Sequence, residues 1–261
     1  PAIASQFAYA KLGQVVTGIK QLGFYEVVEA ALGADMVAYA EAKELAEKGF
    51  LTSSCCPAFV NYVHKQFPML SENVSHNMSP MATIAKFIKG MDNEAKTIFI
   101  GPCTAKKGEA QLPGVREYVD CVMTFEELQA VLDSRDIDLT TLEETDLDNA
   151  SGFGRSFARC GGLAEAAVEA LKEQGIDFEV KPVSCSGIEE CRLALLKASK
   201  GRAEGNFIEG MACIGGCING AGCLTHGERN KNKIDAHSRQ AKDKTIAESL
   251  YGAETGLEAA R

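Results

Sequence analysis

Four cysteines in three widely separated segments constrain this chain more than any other feature of its sequence. The segments read Ser-Cys-Cys-Pro, Gly-Pro-Cys-Thr-Ala-Lys-Lys and Met-Ala-Cys-Ile-Gly-Gly-Cys, and they contain Cys56, Cys103, Cys213 and Cys217. Thiolates are the preferred ligands of iron–sulfur clusters, and four thiolates complete one cubane. A fold that uses all four must bring the segments together, and the small residues around them let backbone approach an inorganic cluster.

A structural zinc site is the alternative, because zinc also binds four cysteines in a tetrahedron. Zinc ligands usually come as two short pairs, whereas only Cys213 and Cys217 form a short pair in this chain. That pair is expected near a helix start, whose free N–H groups stabilise an anionic cluster. The spacing therefore favours a cluster and leaves zinc open.

Hydrophobic periodicity predicts alternating helices and short strands, which is typical of the α/β class. Helices are expected over 14–22, 34–48, 58–66, 80–89, 163–173 and 188–200, and strands over 24–28, 97–100, 119–125, 178–183 and 207–212. Two of these strands end directly at cysteine segments. Ligand sites in α/β sheets favour the carboxyl ends of strands.

The three segments, in this order and at comparable spacing, resemble the signature motifs of the catalytic domain of iron-only (FeFe) hydrogenases. The likeness extends to Lys106 and Glu109 after Cys103, and to Met211 before Cys213. It spans nearly the whole chain.

The resemblance implies an FeFe hydrogenase catalytic domain over residues 1–261. Such a domain has two lobes, each a small twisted mixed sheet flanked by helices, with the cluster between them and a boundary expected near residues 125–150. No C-x2-C-x2-C motif occurs, so no accessory ferredoxin-like domain is expected in this segment. Electrons would enter from a partner protein or from a domain trimmed away, since the chain starts at Pro1.

Cofactors and substrates also follow from the resemblance. It implies a 4Fe-4S cubane on the four cysteines, joined through Cys217 to a diiron subsite with carbonyl, cyanide and azadithiolate ligands. The implied reaction is the reversible interconversion of protons and electrons with dihydrogen. The residues implied beside the diiron group, with Lys106 hydrogen-bonding a cyanide, are Lys106, Met211, Gly101, Pro102, Ala2 and Met81.

Three of these pocket positions depart from the family's usual residues. The family usually has Met at Gly101, and often Ser at Ala2 and Gln at Met81. Loss of a thioether and two polar groups predicts weaker support for the diiron ligands and slower turnover. A low-turnover hydrogen sensor is therefore an alternative function. A second alternative is a non-catalytic, hydrogenase-related iron–sulfur protein that lacks the diiron subsite.

A route for protons is expected beside the cluster. Cys55 lies next to a ligand cysteine, and a free thiol there can relay protons. Glu41 and Glu44 are three residues apart on a predicted helix and share one face, although an exposed helix face would look the same. By resemblance, the route runs from Cys55 through a water to Glu41, Ser75, Glu44 and finally Lys48, where the family usually carries Arg.

Other titratable groups receive weaker assignments. Glu109 and Glu209 are candidates for a second proton route. Cys121 lies in a predicted strand and is expected in the core, and Cys160 is expected near the pocket. The four histidines show no ligand spacing and are expected at the surface or with satisfied partners.

Composition excludes several classes of partner. A net charge of −9 and a pI of about 5.1 argue against nucleic acid. No apolar run approaches the roughly 20 residues needed to cross a bilayer, so no membrane partner is expected. Ten cysteines, two of them adjacent, are a poor disulfide framework in a chain of 261 residues. Reduced thiols are expected, and with them a cytoplasmic location.

Overall fold

The computed structural model describes residues 1–259. Its α-helices are Leu12–Gln21 (α1), Ala30–Lys48 (α2), Pro57–Gln66 (α3), Pro80–Met91 (α4), Ala105–Glu109 (α5), Phe125–Ser134 (α6), Gly152–Ser156 (α7), Gly162–Glu173 (α8), Ile188–Ala198 (α9), Arg229–Arg239 (α10) and Ile246–Ala259 (α11). Its strands are Leu51–Thr52 (β1), Ile98–Ile100 (β2), Cys121–Met123 (β3), Pro182–Ser186 (β4) and Phe207–Met211 (β5). Short 3-10 helices span Ala2–Ser5, Pro68–Asn73, Leu139–Thr141 and Cys217–Asn219.

The strands form two small sheets, and the α/β class is confirmed. One sheet has the order β1-β5-β4, with Leu51 opposite Phe207, and the other pairs β2 with β3. Every strand pair in the described part is parallel, rather than the mixed pairing expected from the sequence. Parallel strands put their carboxyl ends at the same edge of a sheet. The segments that follow β1 and β5 are therefore neighbours.

Helix α2 is central to the fold because it packs against both α4 and α8. Small residues permit this close packing: a Cβ on Gly33 would lie 2.3 Å from the carbonyl oxygen of Pro80. The helix ends at Gly49, whose φ of 74° is the left-handed conformation that favours glycine at a helix C-terminus. Burial of α2 carries the side chain of Glu41 into the interior, where it is fully buried.

Polar side chains connect α2 to α7 and α11. Asp35 accepts hydrogen bonds from the N–H and the hydroxyl of Ser151, at 2.8 and 2.6 Å, and from the hydroxyl of Ser249, at 2.8 Å. Burial raises the pKa of Asp35 to about 6, although these donors oppose the rise. Buried Arg155 donates from Nε and Nη2 to both carboxylate oxygens of Glu29, at 2.9 and 2.7 Å. Both contacts fix α7 beside α2.

Several local expectations are wrong. Residues 24–28 belong to no strand, and Tyr25 is 98% exposed. Cys121 is exposed rather than in the core, because the alternation of β3 turns Val122 inward instead. The strand expected at 178–183 begins only at Pro182. The lobe boundary near 125–150 stays a prediction. No helix among the described residues is long and apolar enough to cross a membrane.

Candidate metal centre

The carboxyl ends of three strands deliver the four cysteines of the predicted cluster. Cys56 follows β1 and is the N-cap residue of α3, and Cys103 lies between β2 and α5. Cys213 and Cys217 follow β5. The two later segments are joined by a hydrogen bond of 2.8 Å from the Gly222 N–H to the carbonyl oxygen of the residue before Cys103.

Burial and neighbouring thiols both raise the pKa of cysteines in this set. Burial raises the pKa of the Cys213 thiol, and Cys56 and Cys103 raise it further. Burial likewise raises the pKa of Cys217 well above its ordinary value, with further contributions from the same two thiols. A metal ligand must be a thiolate, and a bound cation favours that form strongly. Cys213 and Cys217 are therefore protonated as free thiols, and a metal group would displace these protons.

The donors do not converge on a single point. Within residues 1–259, no three His, Cys, Asp or Glu side chains are arranged to hold one metal ion. A tetrahedral zinc site needs its sulfurs within about 4 Å of each other, since each Zn–S bond is about 2.3 Å. In a cubane each thiolate binds a different iron, so the sulfurs stand further apart. The spacing of the cysteines along the sequence remains the argument for a cluster over zinc.

A cavity of about 110 Å³ lies beside the thiols. Its lining includes the following residues predicted from the sequence: Ala2, Cys55, Met81, Gly101, Pro102, Cys103, Lys106, Met211 and Cys217. The rest of the wall is mostly apolar and contains the rings of Phe99, Phe125 and Phe157. Cys56 and Cys213 are not part of the lining. The donor set and the adjoining apolar cavity fit a cluster with a second group attached.

Lys106 brings a positive charge to this cavity. Its side chain is buried, and its Nζ donates to Glu109 Oε2 at 2.7 Å and to the backbone oxygen of Cys55 at 3.2 Å. Burial acts to lower the pKa of Lys106, but the Glu109 carboxylate outweighs it and the pKa is raised. The ammonium therefore stays charged in an apolar setting, where it can bind an anionic ligand.

Cys55 is a protonated thiol on the cavity wall. Burial raises its pKa well above the ordinary value, and the nearby Glu41 carboxyl adds to the rise. Its partly exposed surface faces the cavity that it lines rather than the protein exterior. A thiol in this state holds a proton that it can donate.

Behind Cys55, the predicted carboxylates occupy very different environments. Neither carboxylate oxygen of Glu41 makes a hydrogen bond with the described residues, and burial raises its pKa to about 8, although Ser75 and the Ser54 N–H oppose the rise. Burial also acts to raise the pKa of Glu44, but the Lys48 ammonium, 2.7 Å away, and other donors make it lower than usual. Near neutral pH Glu41 is therefore mostly protonated and Glu44 is ionised.

Ser75, which the predicted order puts between these two glutamates, bonds to Glu44. Its hydroxyl donates to Glu44 Oε2 at 3.1 Å. Sequence reasoning missed two further residues there. Asn77 Nδ2 donates to Glu44 Oε2 at 2.9 Å and to the Ser75 hydroxyl at 3.1 Å, and the His76 N–H donates to both Glu44 oxygens. Their only sequence signal is that they directly follow Ser75.

The chain matches the family model described as "Iron only hydrogenase large subunit, C-terminal domain" over residues 1–221. The chain belongs to this family. Iron hydrogenase 1 of Clostridium pasteurianum is 30% identical over 272 aligned positions, which cover 85% of this chain and 47% of that protein. Cytosolic Fe-S cluster assembly factor narfl of Xenopus tropicalis is 24% identical over 233 positions, which cover 70% and 49%. The chain thus spans about half the length of these curated relatives.

Solved structures of iron-only hydrogenases share the fold. One FeFe hydrogenase, studied for oxygen inactivation of its H cluster, superposes with a TM-score of 0.78 over 97% of this chain and 87% of that one, at 21% identity. A variant of the FeFe hydrogenase of Chlamydomonas reinhardtii gives 0.77 over the same shares, also at 21% identity. The small sheets flanked by helices are therefore the architecture of this hydrogenase family.

Within this hydrogenase-family fold, the two candidates for a second proton route have other partners. Glu209 accepts hydrogen bonds from the N–H groups of Gly161 and Ala164, at 2.9 and 3.2 Å, and from the Ser184 hydroxyl, at 3.0 Å. It therefore caps the first turn of α8. Glu109 forms the ion pair with Lys106.

Cys160 lies against the loop that carries Cys213 and Cys217, but it does not line the cavity. Its backbone N–H donates to the carbonyl oxygen of Gly215 at 3.1 Å. The contact is close because Gly216, with a φ of 95°, has no side chain: a Cβ there would lie 2.7 Å from the Cys160 nitrogen. Cys160 thus supports the loop that carries Cys213 and Cys217.

Proposed function

We propose that this chain is the catalytic domain of an FeFe hydrogenase that interconverts protons and electrons with dihydrogen. One observation carries the proposal: a single cavity is lined by the ligand candidates Cys103 and Cys217, by a protonated thiol at Cys55 and by a buried ammonium at Lys106. A buried carboxyl group, Glu41, lies behind the thiol. Family membership supports this chemistry.

The residues present fit the iron groups of the family. Cys56, Cys103, Cys213 and Cys217 would hold the 4Fe-4S cubane, and the cavity would take the diiron subsite with its carbonyl, cyanide and azadithiolate ligands. When bound, these groups supply the open coordination position and the stored electrons of the reaction. Lys106 would orient an anionic cyanide by a charge-assisted hydrogen bond. The aromatic walls keep water away.

Protons would move through the chain's own residues. At neutral pH Glu41 holds a proton, because its pKa is about 8, whereas Glu44 is ionised, because its pKa is lowered. The Ser75 hydroxyl stands between this donor and this acceptor and already bonds Glu44. Cys55 would pass the proton between Glu41 and the cavity. A proton donor and a proton acceptor with a hydroxyl near them are the groups that proton transfer requires.

A hydrogen sensor is the second candidate, and the cavity wall favours it. Ala2, Met81 and Gly101 all line the cavity, and none of them offers a hydrogen bond from its side chain. Weak support of the diiron ligands would lower turnover.

Electron supply and location belong to the same proposal. An electron carrier, or a further domain of a longer protein, would reduce the cubane. Free thiols as ligands fit a reducing, cytoplasmic setting.

Anaerobic maturation followed by iron analysis and infrared spectroscopy tests the proposed function. We expect iron for a cubane plus a diiron group, and the infrared bands of metal-bound carbonyl and cyanide. A cubane without these bands would instead favour a non-catalytic iron–sulfur protein related to assembly factors. If the infrared bands are present but the matured protein turns over more slowly than an active hydrogenase by orders of magnitude, the sensor would be favoured.

Replacement of the proposed proton donor tests the route directly. We expect Cys55→Ala to lower hydrogen evolution by orders of magnitude while iron content and infrared bands persist, because the thiol carries protons and binds no iron. Cys121→Ala is the matched control, since that cysteine is exposed and away from the cavity. Unchanged turnover in Cys55→Ala would remove its role.

A further inference from the structure

His76 lies where the buried carboxylates meet the solvent. Its Nδ1 is 3.4 Å from Glu44 Oε1, and its Nε2 is 3.4 Å from Lys48 Nζ. The His76 side chain is 68% exposed, whereas that of Glu44 is 14% exposed. The imidazole therefore connects a nearly buried carboxylate to water.

The other groups around Glu44 are poor at proton exchange near neutral pH. Lys48 Nζ lies 2.7 Å from Glu44 Oε1, and an ammonium group has no acceptor site for an incoming proton. The Asn77 amide, which also bonds Glu44, does not titrate. Imidazole has two ring nitrogens, so one can accept a proton while the other holds one.

We propose that His76 is the residue through which the Glu44 carboxylate exchanges protons with the solvent. For uptake, the imidazolium gives its Nδ1 proton to Glu44 Oε1, which leaves a carboxyl group and a neutral imidazole. The imidazole then regains a proton at Nδ1 from water or a buffer acid, and release is the reverse. Lys48 and Glu44, both on α2, are the charged groups that face the ring among the described contacts.

The consequence for hydrogen chemistry rests on the proposed function, but the contact between His76 and Glu44 does not. The first test therefore follows the ring protons of the histidines by NMR against pH in the full chain. We expect Glu44→Gln to lower the pH at the midpoint of the His76 titration, because an anionic neighbour favours imidazolium. The proton concentration at the midpoint should rise about threefold. His64, whose Nδ1 lies 3.0 Å from the Ser71 hydroxyl, is the internal control. An unmoved His76 midpoint would overturn the proposal.

The second test uses matured enzyme. We expect His76→Gln to lower turnover several-fold and to change the pH profile, with iron content and infrared bands unchanged, whereas His64→Gln matches the parent. Added imidazole should restore turnover in His76→Gly, since free buffer can then reach Glu44. A His76→Gln profile identical to that of His64→Gln would contradict the proposal. A parent without turnover would count against the proposed function alone, and the NMR titration would then decide on His76.

Discussion

Among single residues, Glu41 shows most clearly how function can conflict with stability. Its carboxyl group is fully buried, has no hydrogen-bond partner among residues 1–259, and has a pKa raised to about 8. Between its ordinary pKa and this value the folded protein binds more protons than the unfolded chain. The stability that the protonated group contributes is therefore complete at low pH and is lost as the pH rises through 8.

Glu41→Gln should make the protein more stable and less active. Above pH 8 we expect its free energy of unfolding to exceed that of the parent by about 2–4 kcal/mol, because glutamine cannot ionise. Near pH 4 the difference should be small. Urea denaturation at both pH values measures this, and matured Glu41→Gln should lose turnover by orders of magnitude. A parent that is more stable than the variant at pH 9 would contradict the assignment.

Gly101 and Phe99 fit together as a pair on the cavity wall. A Cβ at Gly101 would lie 2.5 Å from Phe99 Cε1 and 2.7 Å from Cζ, so the ring takes the space that a side chain at 101 would need. We expect Gly101→Met to lower the free energy of unfolding by about 1–3 kcal/mol through overpacking. Phe99→Ala should relieve this cost, so that the double variant is more stable than the two single effects predict. Additive effects in a double-mutant cycle would show that the ring does not occupy this space.

At the scale of elements, Asp35 makes the junction of α2, α7 and α11 sensitive to pH. Its pKa of about 6 lies above the ordinary 3.8, so its contribution to stability is complete below pH 4 and is lost as the pH rises through 6. Over this window we expect the parent to lose about 3 kcal/mol of unfolding free energy that Asp35→Asn does not lose. Urea denaturation at pH 4, 5 and 6.5 measures the slope. Ser249→Ala removes one hydrogen-bond donor to the Asp35 carboxylate, so the dependence of its unfolding free energy on pH should be equal to or steeper than that of the parent. Equal slopes in the parent and in Asp35→Asn would contradict this role of Asp35.

The elements that the sequence predicts well are those with long periodic patterns. Helix α2 and strands β2 and β5 lie where hydrophobic periodicity expects them, and the last two end at cysteine segments. Strand β1 is only two residues long, which leaves no period to detect. Residues 24–28 have a strand-like composition, but no neighbouring strand pairs with them.

Contacts between distant segments are harder to predict than elements. The resemblance to hydrogenases gives the order of Cys55, Glu41, Ser75 and Glu44, and the structure supplies the bond between the last two. The resemblance does not give His76, because the approach of the loop that carries Ser75 and His76 to α2 is set by packing across the fold. Local patterns carry no information on such a contact.

At the scale of the whole molecule, the four proposed ligands come from both sheets. Cys56, Cys213 and Cys217 follow strands of the sheet β1-β5-β4, whereas Cys103 follows β2 of the second sheet. One cluster bound to all four would therefore cross-link the two sheets. A group that binds only the folded state stabilises that state. The added stability should reach every element that the group connects.

Hydrogen exchange with mass spectrometry can measure this cross-link. On reconstitution with iron and sulfide, we expect slower amide exchange in both sheets, because opening of either sheet would then break iron–thiolate bonds. In Cys103→Ala preparations that retain iron, the slower amide exchange should persist around β5. It should disappear in β2 and β3, since the link to that sheet is lost. Cys121→Ala, whose exposed thiol lies in β3, should behave like the parent. If loading protects only one sheet of the parent, the four cysteines do not share one cluster.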